Sequence, residues 1–222
     1  MSRQLSIEVF FDFVCPWCLI GKRQLERALA ELRATQPDVT VNLTWKGVQL
    51  LPGIAGGGEP FTEFYLRRLG SEQAVRLRQA QVREAALSAG LMIDFSGIER
   101  MPNTADAHRL LAHAARVGSQ VQCEALLERL FAAYFHNGED LGDTATLLML
   151  AQECGFASAD LDDCLTGDGS PFVADGMPAN GVPHFIFDQH LALSGAQPAP
   201  VLHRAMLEAL SQGRPGHEQH RA

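Results

Sequence analysis

Apolar and polar residues change rhythm along this chain, and each change predicts a different element. Residues 5–14, LSIEVFFDFV, are almost continuously apolar, rich in β-branched and aromatic side chains, with polar residues at 6, 8 and 12. That composition over that length predicts a buried strand. After Pro16 the rhythm becomes helical. Leu25, Leu29 and Leu32 recur on one face, Lys22, Arg23, Glu26 and Arg27 take the others, and the helix should stop before Pro37. Residues 39–48, VTVNLTWKGV, alternate apolar and polar and predict a second strand. Strand, helix, strand in this order is consistent with a parallel crossover. Residues 52–60, PGIAGGGEP, are a flexible connector; without the GK[ST] ending of a phosphate loop, they argue against nucleotide binding.

From 60 to 166 the helical rhythm returns and persists. FTEFYLRRLG, SEQAVRLRQAQVREAALSAG, NTADAHRLLAHAARVG, QCEALLERLFAAYFHNG and DTATLLMLAQECG all predict helices. Gly90, Gly118, Gly138 and Gly155 are placed as left-handed helix stops. Asn103 with Asp106 has the spacing of a capping box, and Asp143 that of an N-cap. Glycine and proline break the pattern at 167–181. HFIFD and QHLALSG (184–195) then predict a β-hairpin, and PAPVLHRAMLEAL (198–210) a closing amphipathic helix. The order is βαβ, a block of helices, then ββα. It divides the chain into 1–55, a helical insertion at 60–170, a second αβ part at 178–212, and a polar, flexible tail at 213–222.

Composition narrows the function classes. The 222 residues are 46% apolar and 20% charged, enough for a sizeable core without disulfide staples. A net charge of -8 argues against a nucleic acid or an anionic membrane as the main partner. No apolar run approaches the roughly 18 residues that span a bilayer. Ile7–Val14 is too short, and too interrupted by Glu8 and Asp12, to act as an export signal, so the expected compartment is the cytoplasm. Five cysteines, an odd number, exclude a fully paired framework.

Cys15 and Cys18, with only Pro16 and Trp17 between them, lie where the first strand meets the first helix. C-x-x-C spacing alone is a weak signal; its context is the stronger one. Zinc would need about four ligands. Cys123, Cys154 and Cys164 stand singly on predicted helices with no second close pair, so no metal is expected. A static crosslink fits the cytosol poorly. A cycling pair fits best. Pro16 suits the first helical turn, because its missing N–H would be unpaired there anyway. The Cys15 sulfur then meets free backbone N–H groups and the positive end of the helix dipole, which stabilise a thiolate and make it the nucleophile. Cys18, one turn further in and more buried, can attack a mixed disulfide at Cys15. Trp17 packs over the pair or offers an apolar surface beside it.

Residues 180–188, NGVPHFIFD, contain the other notable step, Val182–Pro183. A trans proline would simply mark the start of a strand. A cis proline facing the cysteines would expose the Val182 backbone to an extended partner. Cis accounts for roughly 5–6% of X-Pro bonds, so the residues alone leave both readings standing.

CPWC after FFDF, MPNTADAHRLL (101–111), GVPHFIFD and then SGAQP occur in an order that resembles the DsbA-like thioredoxin superfamily. Within it the chain resembles the cytoplasmic FrnE-like branch, related to kappa-class glutathione transferases and 2-hydroxychromene-2-carboxylate isomerases. The resemblance spans about residues 5–210. It implies an α/β, thioredoxin-like fold with an inserted all-helical domain and a groove between the two. It implies that Pro183 is cis, and that Pro16, Trp17, Val182 and Pro183 position the substrate. It allows Asn103, Thr104 and His184 to line the groove. The transferase and isomerase relatives carry serine in place of Cys15 and use bound glutathione, so the presence of both cysteines favours dithiol chemistry. The expected activity is thiol–disulfide exchange through a redox-active Cys15–Cys18 disulfide, with no separate cofactor. Expected partners are protein dithiols or disulfides, or glutathione as co-substrate. No second cysteine pair follows, so no internal relay is expected. The apolar surface of the insertion is compatible with a homodimer. The alternatives are a glutathione-dependent isomerase or transferase acting on a small aromatic metabolite, and a non-catalytic docking module.

The remaining candidates have plainer readings. Cys123, Cys154 and Cys164 are expected to be buried thiols acting as small apolar groups. His108 and His113, spaced i, i+5, share no helical face and are expected to be partly exposed. His184 either tunes the thiolate or is a hydrogen-bonded strand histidine. Asp12 is placed in a turn or cap, with proton transfer to or from Cys15 as the alternative. His217 and His220 do not form the HExxH zinc motif. The basic residues at 67, 68, 76, 78 and 83 alternate with Glu and Gln on a solvated face.

Overall fold

The computed structural model describes residues 3–157, 160–161, 163–172 and 181–212. Its elements run β1 (Arg3–Phe11), α1 (Pro16–Thr35), β2 (Val39–Gly47), β3 (Glu59–Pro60), α2 (Phe61–Leu69), α3 (Glu72–Ser88), β4 (Arg100–Met101), α4 (Ala105–Val117), α5 (Gln120–Asn137), α6 (Thr144–Glu153), β5 (His184–Phe187), β6 (Leu191–Ser194) and α7 (Ala199–Gln212). The tail expected at 213–222 and residues 173–180 of the glycine- and proline-rich stretch lie outside the described residues.

Four strands form one sheet in the order β2-β1-β5-β6. β1 pairs with β2 in parallel, joined through α1, and with β5 antiparallel; β5 and β6 form the hairpin. This is a thioredoxin-like α/β core, and α2 to α6 form the helical insertion between its two halves.

Two apolar clusters hold these layers. Leu5, Ile7 and Val9 of β1 pack with Leu25, Leu29 and Leu32 of α1 and with Leu202 and Met206 of α7. Further along β1 the same face changes partner. Phe11 and Phe13, with Cys15, Cys18 and Leu19, pack against Leu110, Leu130, Phe131 and Tyr134 of the helical block. α1 therefore has its first turns in one cluster and its later turns in the other.

Several local expectations are corrected. The first strand starts at Arg3 and stops at Phe11 rather than running over 5–14, because Asp12, Phe13 and Val14 turn the chain into α1. The Cys15 N–H donates to the Asp12 carbonyl at 3.1 Å, and the Leu50 N–H donates to the Asp12 carboxylate at 2.8 Å. Gly90, Gly138 and Gly155 do have positive φ, but Gly118 is extended (φ -97°, ψ 172°). The next residue, Ser119, already caps α5 in a capping box with Gln122, so the chain must extend to enter it. Gly118 is small for another reason: a Cβ there would collide with the Phe156 ring. Asn103 and Asp106 form no capping box. Thr104 is the N-cap of α4, without a side-chain cap bond. Lys22, expected on the polar face of α1, is buried and pairs with Glu26 and with Glu128 of α5.

Candidate active site

Cys15 is the N-cap of α1 (φ -89°, ψ 107°), followed by Pro16 in the first turn. No acidic side chain stands in that turn to compete for the helix's positive end. Cys18 follows one turn in, its N–H donating to the Cys15 carbonyl at 3.0 Å. Both are buried, Cys15 at 8% exposure and Cys18 at 1%, so Cys15 is the nearer to solvent. Burial pushes the Cys18 thiol well up; its hydrogen bond with Cys15, the charge at Cys15 and the Asp12 carboxylate add to this. Cys15 and Cys18 are both free thiols.

The opposite side of the site comes from the segment entering β5. The Val182–Pro183 peptide is cis. The Cys15 thiol donates to the Val182 carbonyl at 3.9 Å. Gly21 of α1 permits the close approach of this segment, since a Cβ there would lie 3.1 Å from Pro183 Cγ and 3.2 Å from Phe185 Cζ.

A cavity of about 220 Å³ opens beside the pair, lined among others by Pro16, Trp17, Phe61, Tyr65, Arg68 and Phe95. Trp17 is half-buried at its edge. Burial first, and then the charge at Cys15, pushes the Tyr65 phenol up to about 12. Tyr65 thus stays a neutral hydroxyl within electrostatic reach of the sulfur. Sequence reasoning missed Tyr65 and Arg68, because only the folding of α2 onto the start of α1 brings them to the pair.

The other predicted residues go elsewhere. Asn103 is a buried strut: its amide donates to the Ile54 carbonyl (2.6 Å) and the Gly169 carbonyl (3.2 Å), and its oxygen accepts from Gln49 Nε2 (2.9 Å) and the Ala105 N–H (3.0 Å). Thr104 is buried, and its carbonyl accepts the His108 N–H at 3.0 Å. His184 shares a hydrogen bond with Ser194 Oγ at 2.8 Å, and burial holds its imidazole below the usual range.

Two expectations are overturned. His108, expected to be partly exposed, is buried; its Nε2 lies 3.1 Å from Asp12 Oδ1, among Phe11, Phe13 and Phe172. The helical periodicity placed it correctly on α4 but could not reveal a partner 96 residues away. Cys123, Cys154 and Cys164 are half-buried rather than buried. Among the described residues no cluster of His, Cys, Asp or Glu could hold a metal ion, and no helix is long and apolar enough to cross a membrane.

Comparison with known proteins agrees with this geometry. The family model of the DSBA-like thioredoxin domain matches residues 6–171. A probable DsbA oxidoreductase of Streptomyces coelicolor superposes with a TM-score of 0.80 at 27% identity, covering 97% of this chain and 94% of its own. YwbO, an uncharacterized protein of Bacillus subtilis, is 25% identical over 161 residues, 72% of each chain. The cytosolic disulfide reductase DsbM of Pseudomonas aeruginosa, solved with GSH, has a TM-score of 0.52 at 16% identity, covering 93% of this chain and 99% of its own; that likeness is one of fold. With most of its length matched by the family model and a close cysteine pair at the start of α1, the chain belongs to the DSBA-like thioredoxin family and is a thiol–disulfide oxidoreductase.

Proposed function

We propose that the chain works as an FrnE-like oxidoreductase, with Cys15 as the exchanging thiol, Cys18 as the resolving thiol, and Val182 and Pro183 positioning the partner. The observation that carries this reading is the placement of Cys15 at the α1 N-terminus, 3.9 Å from the Val182 carbonyl. The Cys15 thiolate attacks one sulfur of a partner disulfide. A mixed disulfide forms, and the other partner sulfur leaves as a thiolate. Cys18 then loses its proton and attacks the Cys15 sulfur. The Cys15–Cys18 disulfide forms, the second partner thiolate leaves, and two electrons have passed to the partner. The reverse sequence oxidises a partner dithiol.

Partners of this site are extended protein segments or glutathione, with the cavity beside Trp17 receiving the groups next to the reacting sulfur. We place the protein in the cytoplasm. Support comes from the cytosolic description of DsbM.

Thiol alkylation and mass spectrometry in graded glutathione buffers test the reading. A reversible two-electron transition confined to Cys15 and Cys18 is expected. Cys15→Ser abolishes exchange, and Cys18→Ser accumulates mixed disulfides at Cys15. Full exchange in Cys15→Ser overturns the reading. A pair that never forms a disulfide but binds intact glutathione gives the isomerase or transferase reading the lead.

A further inference from the structure

The cavity beside the redox pair carries positive charge that its own chain leaves unpaired. It lies between the start of α1 and the helices α2 and α3, and its polar wall holds Tyr65, Arg68, Arg78 and Gln79. Among the described residues no Asp or Glu lines it. Both arginines are exposed, and neither forms a hydrogen bond or an ion pair with a described residue. Arg68 only leans on the Phe64 ring, its guanidinium carbon 5.9 Å from the ring centre. Their neighbours on the same helices are paired: Arg67 with Glu59, and Arg76 with Glu72.

These charges stand close to the reacting sulfur. Pro16 and Trp17, which separate the two cysteines, line the same cavity. Burial has the largest effect on the Tyr65 phenol; after it, the charge at Cys15 pushes the phenol up, and Arg68 and Arg78 pull it down. One side chain is thus within electrostatic reach of the sulfur and of both guanidiniums. The acidic groups nearby are engaged elsewhere. Glu72, in the adjoining hollow, is held by Arg76, and Asp94, next to Phe95 in the chain, accepts from Ser96. The chain as a whole carries a net charge of -8 and repels anions at long range, so any attraction for an anion here comes from these local arginines.

The complement of a free guanidinium is a carboxylate, which accepts two of its N–H groups at once. The apolar wall of Trp17, Phe61 and Phe95 receives the carbon chain that bears it. We propose that Arg68 and Arg78 make the exchange reaction selective for partners that carry a carboxylate beside the reacting sulfur. The proposal rests on the exchange reading above and names the chemistry of its substrates. An acidic side chain flanking a protein cysteine supplies such a carboxylate, and so does glutathione.

The test uses the full chain, reduced, and the symmetric disulfides of two tripeptides blocked at both ends, Glu-Cys-Glu and its uncharged counterpart Gln-Cys-Gln. Each reaction forms the Cys15–Cys18 disulfide, breaks the peptide disulfide and releases two peptide thiols. Alkylation and mass follow oxidation of the chain. Each rate is divided by that of the same peptide with dithiothreitol, which removes the effect of the peptide's charges on its own sulfur. A preference of about fivefold for the Glu peptide is expected at low salt, the worth of two exposed ion pairs. It fades at about 0.5 M salt, where charges are screened within a few Å. Arg68→Gln with Arg78→Gln abolishes the preference. Arg33→Gln with Arg204→Gln removes the same charge from exposed positions on α1 and α7 outside the cavity, and keeps it. Glutathione disulfide separates the two sources. A loss in the Arg68 and Arg78 double variant for the Glu peptide alone assigns the site to acidic protein segments; a loss for glutathione alone assigns it to the small thiol. Equal normalised rates for the two peptides together with a glutathione rate indifferent to both arginines, or a preference that survives their loss, overturns the proposal and leaves the exchange reading standing. Failure of every disulfide to oxidise the pair overturns the exchange reading and the proposal with it.

Discussion

Cys18 carries the clearest consequence at the scale of single residues. Burial keeps its thiol protonated well above the ordinary thiol range, so little of it is ionised near neutral pH. Its attack on a mixed disulfide needs the thiolate. The resolving step should therefore quicken as pH rises, continuing beyond pH 9, where a free thiol would already be mostly ionised. Single-turnover release from a preformed mixed disulfide, followed against pH, checks this; a plateau below pH 9 contradicts it. Asp106 shifts in the other direction. Burial opposes its ionisation, but Arg109 and then the Gly167 and Thr166 donors outweigh it and hold the carboxyl below the usual range. It accepts from Arg109 Nη1 and the Gly167 N–H, both at 2.7 Å. A carboxyl depressed in the folded state contributes stability above its unfolded pKa and loses it as pH falls through the folded value. Asp106→Asn should cost about 1–3 kcal/mol near neutral pH. Urea midpoints of variant and wild type should converge toward acid pH. At this scale the sequence displayed the close Cys15–Cys18 pair directly, whereas the cis form of Val182–Pro183 was implied only by the family resemblance. Asp12–His108 and Tyr65 were hidden, since their partners come from other elements. Asn103 carried a local capping signal that it meets at the Ala105 N–H, while its long-range bonds to Gln49 and Ile54 stayed hidden.

Among the elements, α1 sets the geometry of the site. It presents Cys15 at its start and, one turn after Cys18, seats Gly21 against Pro183 and Phe185. Glycine inside a helix normally costs about 1 kcal/mol relative to alanine. Here its bareness lets the proline segment approach. Gly21→Val should push Pro183 away, destabilise by about 1–3 kcal/mol through overpacking and slow exchange at Cys15. Urea unfolding and an exchange assay read the two effects. A variant that keeps full exchange despite its lost stability would show that the proline's nearness to α1 does not matter. The elements were mostly legible because their apolar periods are clean: β2, α1 and the five inserted helices fall where 2- and 3.6-residue repeats put them. The end of β1 was not, because Phe13 and Val14 continue an apolar run while the backbone has already turned. That turn exists because Asp12 finds Leu50 and His108, neither of which any local pattern displays.

Over the whole molecule, the inserted helices are tied into the core through α1. Cys18 and Leu19 pack with the helical block, and Leu25, Leu29 and Leu32 pack with the sheet and α7. Trp45 of β2 is packed against both clusters, and Lys22, near the middle of α1, reaches Glu128 of α5. Neither cluster can lose α1 without exposing the apolar surface of the other. Exposed apolar surface costs about 25 cal/mol per Å², so partial unfolding that strips half of α1 is strongly disfavoured. We expect one cooperative transition in urea, with far-ultraviolet circular dichroism, dominated by the helices, coinciding with tryptophan fluorescence from Trp17 and Trp45. Its slope against denaturant should be that of the full chain, since the slope follows the surface exposed. If the dichroism signal falls first while fluorescence persists, the helical block unfolds by itself. The redox pair, which packs with that block, would then lose its burial before the sheet does, and exchange would fail at a lower urea concentration than global unfolding.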